Sequence, residues 1–215
     1  MDKPTCFSVN TEKNLEKCID DIIVSIIICK IPLSGNSCYK SLLNCFNFFN
    51  YKTNKNYINE TLYHAYIIVE TKNRNNNPTL SYIVDDNSKY VLIEKDVIIN
   101  VFNKIPSNKI PLSKNVLHKV INHELIPEKL TIEKLLSNTL NFMKDSFFPY
   151  CAKTNNCQDF VMAILNSNNI NYGYESFVKQ DTKTIFENID SIIPITNIAT
   201  TLDADVSYFQ QKMIK

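Results

Sequence analysis

Cys157, His64 and Glu94 are the residues whose type and surroundings could carry nucleophilic chemistry. Cys157 follows the polar stretch KTNN and opens the apolar-aromatic run CQDFVMAIL, which reads as a helix from Cys157 to about Ser167. At a helix start the unpaired backbone N–H groups and the helix dipole favour a thiolate, the form in which cysteine attacks a carbonyl carbon. His64 lies in LYHAYIIVET, in phase with Leu62, Tyr66 and Ile68, so an ionisable ring occupies an otherwise apolar strand row. Glu94 is in phase with Tyr90 and Leu92 in YVLIEK and places a carboxylate in a second such row. A thiol nucleophile needs an imidazole to share its proton, and the imidazole needs a polar group that fixes its tautomer. Glu94 can meet that need if its strand neighbours the one carrying His64.

Other candidates are weaker on physical grounds. Cys151 is the rival nucleophile but precedes the helix and lacks its dipole. His118, His123 and Glu124 invite a metal reading, yet a spacing of five does not put both imidazoles on one helical face and no cysteine pair lies nearby, so they read as surface residues. Gln158 and Asp159 fall in the first turn after Cys157; Asp159 suits the helix N-terminus, and the Cys157 N–H could donate to an oxyanion. No metal and no cofactor is expected.

Composition closes off other chemistries. In 215 residues, 23 Lys+Arg offset 22 Asp+Glu for a net charge of +1. That balance argues against a nucleic-acid partner held by phosphate neutralisation. Arg74 is the sole arginine, so bidentate phosphate or carboxylate clamps lack material. Gly35 and Gly173 are the sole glycines, too few for a GxGxxG or P-loop cradle. The seven cysteines are odd in number and contain no CxxC, and the N-terminus, MDKPTCFSVN, is unlike a signal peptide. A reducing, cytoplasmic setting without secretion is the expectation. The longest apolar run, Ile22 to Cys29, is interrupted by Ser25 and is far shorter than the ~20 residues of a membrane span.

A short helix to about Asp20 precedes a strand, because residues 22–28 are apolar on all sides. Ser37 to Phe49 has a helical stripe of Leu42, Leu43, Cys45, Phe46 and Phe49. Leu62–Thr71, Leu80–Asp85 and Lys89–Asn100 read as a β-meander, whereas residues 103–130 read as loop with short strands. Thr131 caps a helix to Asp145 with Ile132, Leu135, Leu136, Leu140 and Met143 as its stripe. Helices over Asp181–Ile189 and Ile195–Met213 complete the chain.

The phrase TNNCQDFVMAIL resembles the NCxxF signature of the circularly permuted NlpC/P60 proteins, which are papain-like and include lecithin:retinol acyltransferase-like and YiiX-like branches. The order of that group is a strand His, a polar or acidic residue on a following strand, then a Cys at a helix start. His64, Glu94 and Cys157 match it in turn. The longer pattern YxxYIIVE, LIEKxxVI, NNCQDF and FVKQDTK is similar to a branch found in large DNA viruses. The resemblance covers roughly residues 22–190 and implies an α+β, permuted papain-like domain over 1–190, with 191–215 as a C-terminal helical extension. It implies a cysteine-dependent amidase, peptidase or lipid-acyl hydrolase working through an acyl-cysteine. The acyltransferase relatives often carry a membrane anchor, and the lack of a transmembrane run here favours a hydrolase. His64 and Glu94 are farther apart than the tight hairpin usual in the group allows. The insertion Asn73–Pro78 accounts for this, or else Asp85 or Asp86 is the third residue. The competing expectations are a catalytically silent papain-like module binding a host or viral protein, and a structural virion component.

Overall fold

A computed structural model describes residues 6–32, 63–72, 89–96, 98–105, 116–151, 154–170 and 173–181. Its centre is a five-stranded sheet: β1 (Ile22–Pro32), β2 (Tyr63–Lys72), β3 (Lys89–Lys95), β4 (Ile99–Ile105) and β5 (Leu117–Ile121). The order is β4-β3-β2-β1-β5, and every neighbouring pair is antiparallel. Helices α1 (Val9–Leu15), α2 (Ile132–Met143), α3 (Cys157–Ser167) and the single turn α4 (Glu175–Val178) complete an α+β architecture.

The β-branched and aromatic content of β1, β2 and β3 suits a pleated surface buried on both sides. On one side Ala65, Ile67, Val69, Val91 and Ile93 join Phe160, Val161 and Ile164 of α3 in the main core. On the other side Ile27, Cys29, Tyr66, Ile68, Leu92 and Val116 form a second buried cluster. The alternation of strand side chains separates the two sets.

Three features differ from the sequence reading. The first helix ends at Leu15, and the chain then turns through bonds from Cys18 N–H to the Leu15 carbonyl and from Asp21 N–H to the Cys18 carbonyl. The segment read as one strand over Lys89–Asn100 is a hairpin, because the chain reverses between Lys95 and its partner Ile99. In α2, Thr131 caps as expected by accepting from Lys134 N–H, but Leu140 is exposed. Thr139 is buried in its place, with its hydroxyl bonded to the Leu135 carbonyl at 2.7 Å. A polar seam where α2 meets the end of α3 favours that rotation: Asn168 Nδ2 donates to Leu135 O, and Thr139 shares a hydrogen bond with Ser167. The elements expected over residues 37–49, 80–85 and 195–213, and all of 181–189 beyond Asp181, lie outside the described residues.

Candidate active site

The strand register brings His64 and Glu94 together. Tyr66 is directly opposite Glu94 in the β2–β3 ladder, and His64, two residues from Tyr66, shares its face. His64 Nε2 lies 3.1 Å from Glu94 Oε2, with the two side chains 12% and 7% exposed. Glu94 Oε1 accepts from Asn100 Nδ2 of β4 at 3.3 Å, so both carboxylate oxygens are occupied, as a buried anion requires. The Tyr66 ring stacks near the imidazole at 5.9 Å between centroids and 23° between planes. Burial is the largest influence on His64 and pushes its pKa down. The charge and hydrogen bond of Cys157, followed by those of Glu94, more than offset it and hold the imidazole well above its ordinary range.

Cys157 arrives from the other side of β2. Asn156 caps α3: its side chain accepts from the N–H groups of Gln158 and Asp159, while Asp159 Oδ2 accepts from Asn156 N–H at 2.9 Å, a reciprocal capping box. This fixes the first turn of the helix and the Cys157 backbone with it. The thiol is 6% exposed and accepts from Ala65 N–H at 3.5 Å, one residue from His64.

The segment leading into α3 is held from below. Phe147 is fully buried and packs edge-on to Phe148 and Phe160. Lys95, next to Glu94 but on the opposite face of β3, is fully buried; its Nζ donates to Ser146 O at 2.8 Å and to Asn155 Oδ1 at 3.1 Å. Burial lowers its pKa to about 8, against a smaller upward pull from Asp159. Tyr150 is pushed well up, first by burial and then by Cys157, Asp96, Cys151 and Asp159, so its phenol stays protonated beside the thiol.

A strap formed by residues 177–180 closes the helix start. Gln180 N–H donates to Gln158 Oε1 at 2.7 Å, and Gln180 Oε1 accepts from Tyr63 N–H at 3.0 Å and from Gln158 Nε2 at 3.1 Å. Lys179 pairs with Asp159, and Lys30 of β1 donates to the Phe177 carbonyl at 2.8 Å. Gln158 is thus committed to tying α3 to the start of β2, and Asp159 to the cap and to Lys179.

The structure brings His64, Glu94 and Cys157 together and leaves Cys151, His118 and His123 in other settings. Cys151 sits on a turn, paired with Asn155 and accepting from Thr154 Oγ1 at 3.3 Å. His118 lies on edge strand β5 and His123 in a 3₁₀ turn, both exposed with Glu124. Asp85 and Asp86 lie outside the described residues. Lys95, Asn100 and Tyr150 escaped the sequence reading. Asn100 could have been found by pairing β3 with β4, had the hairpin been seen. A groove of about 460 Å³ lies beside α3, lined by Phe142, Met143, Asn155, Asp159, Met162 and Lys179 among others, and neither Cys157 nor His64 faces it. Among the described residues no three His, Cys, Asp or Glu side chains converge as metal donors, and no helix is long and apolar enough to cross a membrane. No family model, curated protein or solved structure matches the chain.

Proposed function

We propose that the chain is a cysteine-dependent hydrolase of permuted papain-like type, with Cys157 as nucleophile, His64 as general base and then acid, and Glu94 orienting the imidazole. The observation that carries this reading is the single imidazole that bonds to Glu94 and belongs to the residue next to Ala65, whose N–H donates to the Cys157 sulfur, with the Cys157 charge among the influences that raise its pKa. With Nε2 committed to Glu94, Nδ1 is the ring nitrogen left to exchange a proton with sulfur. The raised His64 pKa favours the imidazolium form beside the Cys157 sulfur.

The reaction is an acyl transfer. Cys157 Sγ attacks the carbonyl carbon of an amide, ester or thioester; the C–S bond forms and the carbonyl electron pair moves to oxygen. The cap claims the N–H groups of Gln158 and Asp159, and the Cys157 N–H is the helix-start donor free of it for that oxyanion. The intermediate collapses, the bond to the leaving group breaks, and the imidazolium gives that group its proton. Water, deprotonated by the same ring, then attacks the acyl-cysteine; the acid is released and the thiol pair restored.

An acyl-probe profile tests the reading. Wild type is expected to form a thioester at Cys157 that hydrolyses with time, whereas Cys157→Ala forms none. If Cys157 of wild type reacts no faster than the other cysteines, the silent binding module replaces the hydrolase.

A further inference from the structure

The residue beside Glu94 has no part in the reaction just described, yet it is the largest fully buried charged side chain among the described residues. A lysine ammonium in such a place costs stability unless its hydrogen bonds repay the desolvation. The two acceptors of its ammonium are both neutral: the Ser146 carbonyl and the Asn155 carboxamide oxygen. An apolar side chain of the same length would satisfy the Phe160 ring, which lies 5.8 Å from the ammonium, without that cost.

What the ammonium holds is the turn that delivers the nucleophile. Asn155 is the hub of that turn: its Nδ2 donates to Ser146 O and to Pro149 O, each at 2.7 Å, and its backbone exchanges bonds with Cys151. Lys95 engages both Ser146 and Asn155, which closes the ring around the hub. The next residue is the Asn156 cap, and the one after is Cys157. Strand alternation therefore sends two consecutive residues of β3 to the two halves of the site, Glu94 to the imidazole on one face and Lys95 to the thiol's support on the other.

We propose that Lys95 is a positioning residue for Cys157: its buried ammonium sets the Ser146–Asn155 turn, and through the Asn156 cap it sets the place of the sulfur relative to His64. This rests on the dyad reading, deepens it, and assigns the Glu94–Lys95 pair the alignment of both reacting groups. A misplacement of about 1 Å costs on the order of 10²-fold in rate, so a clamp of this kind is worth a buried charge.

The test uses the full chain and iodoacetamide, with alkylation of each cysteine resolved by mass spectrometry, alongside urea unfolding. In Lys95→Met the Cys157 rate is expected to fall about 10- to 100-fold while the urea midpoint holds or rises, because no orphaned charge is left behind. A purely structural role predicts the reverse: a lower midpoint with an unchanged rate in the folded protein. Asn155→Ala, which removes the hub and keeps the lysine, is expected to slow Cys157 similarly. The double variant should be no slower than either single one, since the two act in one chain of contacts. Should Lys95→Met fail to fold, Asn155→Ala carries the test. Rates within twofold of wild type in the folded variants overturn the positioning role, provided His64→Ala slows Cys157 in the same assay. If wild-type Cys157 shows no enhancement and His64→Ala changes nothing, the dyad itself fails and the positioning role falls with it.

Discussion

Two buried thiols meet strand β2, and what meets them in return sets them apart. Cys29 on β1 is directly opposite Tyr66, fully buried, and its pKa is pushed by burial up to about 12. Cys157 reaches the same strand at Ala65, nearly as buried, but with a backbone N–H aimed at its sulfur and an imidazole beside it. Cys18, pushed to about 11 by burial and then by Asp21, belongs with Cys29. Burial by itself makes a thiol inert; the imidazole beside Cys157 is what the proposed reading relies on to make that thiol a nucleophile.

The largest test of this contrast removes each thiol in turn. Cys157→Ala is expected to abolish covalent capture of an acyl probe and Cys29→Ala to leave it intact, read as labelled protein by mass spectrometry. Next is His64→Ala, expected to slow acylation of Cys157 by about 10²-fold or more, the usual worth of a general base, with Cys29 alkylation unchanged.

The two buried cations on and beside this site respond to pH in opposite senses. Lys95 binds a proton less tightly folded than unfolded, so between about pH 8 and its ordinary 10.5 the unfolded chain holds more protons and stability rises with pH. The shift amounts to roughly 3 kcal/mol, and the rise should vanish in Lys95→Met when urea unfolding is followed across that window. His64 has a raised pKa in the fold, so its contribution is complete below its unfolded value and is lost as pH climbs through the folded one. The stability difference between wild type and His64→Ala should therefore shrink toward alkaline pH.

Glu94→Gln keeps the shape of the strand pair and removes the charge. One charge-assisted hydrogen bond is worth about 1.5–3 kcal/mol, so acylation should slow roughly 10- to 100-fold. The smallest effect is that of Asn156→Ala, about 1 kcal/mol of unfolding free energy from the lost cap.

Much of this site was legible because its parts are local. A cysteine after a polar tetrad and before an apolar run is enough to place a helix start, and a histidine in LYHAYIIVET is enough to place a strand. The Glu94 assignment also needed the register, which no single segment encodes. The β3–β4 reversal was hidden because Asp96 is the one turn-favouring residue in DVI, and the two β-branched residues after it read as continuing strand. Strand β5 was hidden because four of its five residues are exposed, so burial leaves no alternating pattern. Lys95 reads as an ordinary charge at a strand end, and its burial is decided by Phe160 and Asn155, some sixty residues away.

Three bonds of the site join distant parts of the chain: His64 to Glu94 across 30 positions, Ala65 to Cys157 across 92, and Tyr63 to Gln180 across 117. Closing such loops costs entropy that is recovered only when the ends meet, so contacts of this kind form late in folding. The Gln180 suture waits longest of the three on the emerging chain. On the proposed reading the sulfur therefore leaves the ribosome without its imidazole partner, and the pair comes into being only with the finished fold.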